Sequence, residues 1–232
     1  MATATETFTG FRPEAIQFLA DLAENNDRGW FQPRKAEYER LLKQPLEALC
    51  VALAERFEAR NLPLSADPAR SPFRIYRDVR FSKDKSPYKA HVSASFPWIE
   101  GRHPNSPHEE GNPGGYFHLA PGEAFVGGGM WHPPKEKLTA FRRTLDTDSN
   151  RVHDLIDNPS FAATFGQING DRLTRVPQGY DKDHPESELL KLKDMTFGHR
   201  LADDDVTSPR LPDVLAESIA IAVPVMRFLA RL

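Results

Sequence analysis

Residues 73–96 read FRIYRDVRFSKDKSPYKAHVSASF. From Phe73 the pattern has a period of two. Phe73, Ile75, Val79 and Phe81 fall on one face, and Arg74, Tyr76, Asp78 and Arg80 on the other. A turn at Ser82 to Pro87 interrupts it. The alternation then resumes, with Tyr88, Ala90, Val92, Ala94 and Phe96 on one face and Lys89, His91, Ser93 and Ser95 opposite. This predicts two antiparallel strands joined by a loop too long for a two-residue hairpin. Arg77 breaks the rule, because it sits at an apolar-face position. A guanidinium pointing into a core must be paired, either with a carboxylate from elsewhere or with a ligand.

Working outward, the first third of the chain has helical periodicity. Pro13 suits the first turn of a helix, and Ala15, Ile16, Leu19, Leu22 and Ala23 follow at helical spacing. Asn25 to Gly29 breaks it, and Pro33 to Lys43 reads as a second, charged helix. Pro45 opens a third, whose stripe of Leu46, Leu49, Cys50, Leu53 and Phe57 marks Cys50 as a buried small hydrophobe. Beyond residue 96, a polar loop spans Gly101 to Gly115. Tyr116 to Leu119 and Ala124 to Gly127 form a strand pair around Pro121-Gly122, and helices follow Pro134 and Asn150. Glu186 to Met195 reads as a short helix, and Leu211 to Leu229 as the terminal one. The expectation is one α+β domain over residues 1–232. Its mainly antiparallel central sheet spans about 73–131, flanked by N- and C-terminal helices, with those of the N-terminal third covering one face.

Composition narrows the function classes. The chain has 232 residues, is 39% hydrophobic and 27% charged, and carries a net charge of -3. A mildly acidic protein with one local basic stretch fits a small anionic ligand better than a duplex, so nucleic acid is a disfavoured partner. One cysteine precludes an internal disulfide and suits a reducing cytosol. No N-terminal signal pattern and no long apolar run is present, so a cytoplasmic location without a membrane span is expected.

The candidate site is the opening stretch itself. Arg74, Arg77, Arg80, Lys83, Lys85 and Lys89 face only Asp78 and Asp84. Arg74, Arg80, Lys85 and Lys89 are assigned to binding an anion, the guanidinium as a planar fork and the ammonium as a point charge. Asp78 would orient the arginines. Asp78, Tyr88 and His91 are the candidates for proton transfer, should chemistry occur. Arg77 and Asp84 are assigned to a structural ion pair. Two other readings stand beside this one. The strand pair could dock an acidic protein or RNA, with Tyr76 and Tyr88 stacking on bases, or the charges could form a network that only fixes the fold.

Other segments carry weaker signals. GGGMWHP, residues 127–133, permits close backbone approach but lacks the pattern of a phosphate loop, and it also suits a tight strand exit that lets Trp131 pack. His103, His108, Glu109 and Glu110 have metal-ligand chemistry without metal-site spacing, so no metal is assigned. In PQGYDKDHP, residues 177–185, Asp181, Asp183 and His184 could act as acid, base or ligands, or Asp183 or His184 could cap the helix after Pro185. No G-x-S-x-G, H-E-x-x-H or C-x-x-C occurs, and no cofactor is expected.

The run Arg74-x-x-Arg77-Asp78-x-Arg80-Phe81, followed by Asp84-Lys85-x-x-Tyr88, resembles the signature of a bacterial and fungal family, domain of unknown function 2461. FLADLAENNDRGWF, GGGMWHP and PQGYDKDHP are similar to its other recurring blocks, so the likeness covers most of the chain. The resemblance implies that Arg74, Arg77, Asp78, Arg80, Phe81, Asp84, Lys85 and Tyr88 belong to a defining block. It implies no activity. Ser86 stands where threonine is more usual, and His91 lies outside the signature.

Overall fold

A computed structural model describes residues 7–80, 83–101 and 111–232. The metal candidates His103, His108, Glu109 and Glu110, together with Phe81 and Ser82 of the central stretch, lie outside the described residues. The fold is α+β. Helices α1 (Pro13–Glu24), α2 (Arg28–Tyr38) and α3 (Gln44–Ala59) precede strands β1 (Val92–Pro97), β2 (Gly114–Ala120) and β3 (Glu123–Met130). Helices α4 (Lys135–Asp148), α5 (Asn150–Ile156), α6 (Pro159–Phe165) and α7 (Ser187–Leu190) come next. Strand β4 (Met195–Arg200), α8 (Asp203–Val206) and α9 (Leu211–Ala230) complete the order. The sheet is antiparallel, with strands in the order β1-β2-β3-β4. No helix among the described residues is long and apolar enough to cross a membrane.

The chain divides into two compact units. The first comprises Met1–Phe96, Tyr116–Val126 and Arg200–Glu217; the second comprises Pro97–Gly115, Gly127–His199 and Ser218–Leu232. In the first unit, Asp27 caps α2 by accepting from the Trp30 N–H at 3.0 Å. Pro45 lacks an N–H, so the chain between α2 and α3 widens into a π turn at Glu39–Lys43, and the Gln44 N–H donates to the Glu39 carbonyl. The wider turn carries the path from α2 into α3 without a break, where two separate helices were predicted, and buries Leu41 and Leu42 together. Phe57 of α3 meets Phe96 edge-on at 5.7 Å, Phe11 stacks on Phe117 at 5.9 Å, and Phe31 stacks on Tyr88 at 4.1 Å. These aromatic contacts bury the apolar side of residues 88–96 against helices. Cys50 lies in this core, and burial pushes its thiol up to about 12.

In the second unit, Phe161 and Phe165 of α6 pack on Phe197 of β4. Strand β4 replaces the expected end of the helix at Met195, since only Met195 and Phe197 of its six residues are buried and the alternation is too brief to read. The glycines of β3 serve this pairing. A Cβ on Gly127 would lie 2.3 Å from the Phe197 carbonyl oxygen, and one on Gly129, at φ +107°, would lie 2.1 Å from that of Met195. The close approach expected at GGGMWHP is therefore made by a neighbouring strand.

The central stretch departs most from expectation. Residues 71–77 pair with 87–95 at the isolated antiparallel bridges Pro72↔Ala94 and Tyr76↔Tyr88, each flanked by two backbone hydrogen bonds. Between these bridges one side advances four residues (76 − 72) and the other six (94 − 88). Lys89 stays in the ladder, its N–H donating to the Ile75 carbonyl at 2.8 Å, and the Ser93 carbonyl accepts from the Phe73 N–H at 2.9 Å, so the two extra residues bulge within Ala90, His91 and Val92. The predicted uniform strand pair is thus a bulged ribbon, and the regular sheet begins at Val92 rather than Phe73.

Candidate functional site

Tyr88 anchors the bulge. The Asn26 side chain donates to the Tyr88 carbonyl and accepts from the Tyr88 N–H, both at 3.0 Å. This amide clamp imitates a strand partner and ties the segment to the turn between α1 and α2. The Tyr88 ring is 1% exposed, stacked on Phe31, and its hydroxyl accepts from Gln32 Nε2 at 3.4 Å. Tyr88, a candidate for proton transfer, therefore lies in the helix-packed core.

The cations of the stretch fall into two sets. Arg77 is paired with Asp84 and is partly exposed rather than sunk in the core as its position in the alternation suggested. Asp84 also accepts from the Ser86 hydroxyl at 2.6 Å, and hydrogen bonds from Ser86 and then Arg77 hold its carboxyl down to about 2. Arg80 donates twice to Asp78, from Nε to Oδ1 at 3.0 Å and from Nη2 to Oδ2 at 2.7 Å. That pairing lowers the Asp78 carboxyl to about 2 and raises the Arg80 guanidinium. Lys85 donates to the Val79 carbonyl at 2.9 Å. These groups hold one another.

Arg74 and Lys89 differ. Neither forms a salt bridge with another described residue. Lys89 sits over the Phe73 ring, 5.2 Å from its centre, and its amine is held below the usual lysine range by burial and then by the charge of Arg74. Phe73, expected on the apolar face, is instead 46% exposed beneath that amine. His91 lies alongside. Burial, then His118, Lys89 and Arg77, push its imidazole down to about 4.

Sequence reasoning missed the neighbours that β2 and β3 supply. The His91 and His118 rings lie 4.5 Å apart, His118 stacks on Phe125 at 4.8 Å, and Tyr116 Oη is 3.2 Å from His118 Nδ1. Tyr116 also hydrogen-bonds Ser93; burial raises its phenol and lowers the His118 imidazole. The available signal was the alternation of β2, in which Phe117 and Leu119 are buried and Tyr116 and His118 stand on the half-open face.

In the second unit, Asp181 and His184 of residues 177–185 make local turn hydrogen bonds, and no side chain caps α7. Asp181 accepts from the Asp183 N–H at 2.9 Å, and His184 Nδ1 accepts from the Glu186 N–H at 3.0 Å. His153 bridges Asp157 and Glu186 at 2.8 and 2.9 Å. Trp131, expected to pack, is 69% exposed and stacks on His132, whose N–H donates to the buried Asp194. Among the described residues no group of three His, Cys, Asp or Glu side chains is placed to hold a metal ion.

No curated protein and no solved structure matches the chain. A family model described as Conserved hypothetical protein (DUF2461) matches residues 14–228, and with nearly its whole length so covered the chain belongs to the DUF2461 family.

Proposed function

We propose that the protein binds a small phosphate- or carboxylate-bearing anion at Arg74 and Lys89, beside His91. The observation that carries this reading is Lys89 held over the Phe73 ring, its amine lowered by burial and then by the charge of Arg74, with neither cation in a salt bridge to a described carboxylate. Such an arrangement costs free energy that an arriving anion would recover. Arg80 and Lys85 support the loop, since their donors are already engaged by Asp78 and the Val79 carbonyl. On this reading the block from Arg74 to Tyr88 is the family's signature because it builds both the support and one wall of the site. Binding rather than catalysis is the activity proposed. An imidazole near 4 is a weak base at neutral pH, and Tyr88 is turned into the core. The buried free thiol of Cys50 suits a reducing compartment, and we place the protein in the cytoplasm.

The test is calorimetric titration of inorganic phosphate into the wild-type chain and into Arg74→Ala, Lys89→Ala and Arg80→Ala variants. Phosphate binding lost in the first two and kept in the third is the expected result. Equal binding by all four proteins, or none by the wild type at tens of millimolar, overturns the reading. A second reading, docking of RNA, draws on Tyr76, which is 45% exposed next to Arg74. Its signature would be an affinity for short RNA that falls steeply with salt.

A further inference from the structure

Resting on the anion reading, we propose that the ligand carries a planar aromatic ring on its anionic group, the ring lying on the row formed by His91, His118, Phe125 and Tyr116. The centroid separations along this row are 4.5 Å from His91 to His118, 4.8 Å from His118 to Phe125 and 5.7 Å from Phe125 to Tyr116. His118 of β2 and Phe125 of β3 meet beside the Pro121-Gly122 turn, and His91 meets His118 from the segment just before β1. The planes of His118 and Phe125 lie within 15° of parallel, and those of His91 and His118 within 33°. Side chains stand upright on a sheet, so rings stacked across strands turn their edges outward.

Ring edges carry the positive rim of the aromatic quadrupole and attract the face of another ring in a T-shaped contact. The imidazoles, kept neutral by burial, join this surface as aromatics rather than as cations. Cations adjoin the rings at His91, which feels the charge of Lys89, and at Tyr116 through Phe73. Phe73 is 6.3 Å from Tyr116, and Lys89 covers Phe73. Charge and ring surface thus adjoin, which is the complement of a ligand with an anionic head and a flat body, such as an aryl phosphate or a nucleoside monophosphate. The half-buried Tyr116, His118 and Phe125 leave a face on which such a body can rest.

The experiment compares inorganic phosphate, ethyl phosphate and phenyl phosphate by calorimetry on the full chain. One or two edge-to-face contacts predict phenyl phosphate binding about five- to tenfold tighter than ethyl phosphate. Phe125→Leu, checked for native circular dichroism, should remove that advantage and leave ethyl phosphate binding unchanged. Phenyl phosphate should also shift the His118 ring protons, and ethyl phosphate should not. Phosphate and ethyl phosphate binding as tightly as phenyl phosphate would overturn the ring inference and leave the anion site standing. Phenyl phosphate binding with phosphate and ethyl phosphate silent would support the ring surface and overturn the anion reading. Failure of all three to bind overturns both.

Discussion

Acid should destabilise this fold through His91 before the carboxylates of the same segment titrate. Its imidazole is held at about 4, by burial first and then by His118, Lys89 and Arg77. In the unfolded chain it returns to about 6.5. Between those values the unfolded chain binds a proton that the folded chain refuses. Stability therefore rises with pH across this window, is fully present above about 6.5 and is lost by about 4. A gap of about 2.5 pH units at about 1.36 kcal/mol each sets an upper bound of about 3.4 kcal/mol. His91 keeps part of its surface in water, and screening brings the expected loss to about 1–2 kcal/mol. For a chain of this size that is a drop of about 2–8 °C in Tm. The assay is urea unfolding at pH 7.0 and 4.5 for the wild type and His91→Gln. Asp78 and Asp84, both near 2, stay ionised over this range and do not confuse it. His153 is raised by its carboxylate partners, so it favours the folded state at the acid end, equally in both proteins. A wild type that loses no more stability than His91→Gln would refute the reasoning, as would an NMR titration placing the His91 imidazole near 6.5.

Four further outcomes follow from the same geometry. Asn26→Ala removes both bonds of the clamp on Tyr88 and should cost about 1–3 kcal/mol by urea denaturation, together with weaker phosphate binding. Tyr88→Phe loses only a long hydrogen bond from Gln32, so phosphate affinity should be unchanged, whereas Phe31→Ala opens the core beneath it and should cost about 3–5 kcal/mol. The Cys50 thiol, fully buried and pushed up to about 12, should resist a disulfide reagent such as DTNB in native buffer and react once in denaturant; prompt native labelling would contradict its placement. The chain passes between its two compact units inside β1, β2, β3, β4 and α9, so circular dichroism and tryptophan fluorescence should report one coincident unfolding transition; two transitions would show that the units fold separately.

Helices α1 and α3 were legible because their apolar stripes are long and each opens near a proline. Leu19, Leu22, Leu49 and Leu53 are all fully buried. The helix-facing side of residues 88–96 was equally legible, since Tyr88, Val92, Ala94 and Phe96 are buried at period two. What failed was pairing. Alternation says which face a residue takes but not where its partner lies, and the bulge between the Pro72 and Tyr76 bridges leaves no trace in the pattern. Tyr116, His118 and Phe125 were invisible as a site for the same reason: their meeting with His91 is a matter of strand register. Asn26 looked like a helix breaker, and its clamp on Tyr88 spans a separation of 62 residues that no local rule reaches.

The sequence presents Arg74, Arg77, Arg80, Lys85 and Lys89 as one basic patch, and the fold separates them by what each can reach. Asp84 lies seven residues after Arg77, and Asp78 two before Arg80, so both pairs close within the loop. Lys85 reaches back to a carbonyl of the same loop. Arg74 and Lys89 stand on the two sides of the ribbon before and after this loop, beyond the pairs it closes internally. Lys89 keeps its place in the ladder just before the bulge, and its side chain lies over Phe73, where burial and then the charge of Arg74 lower its amine. The bulge that spoils the strand pairing follows Lys89 directly, and the residue it displaces, His91, is the one whose ring meets His118.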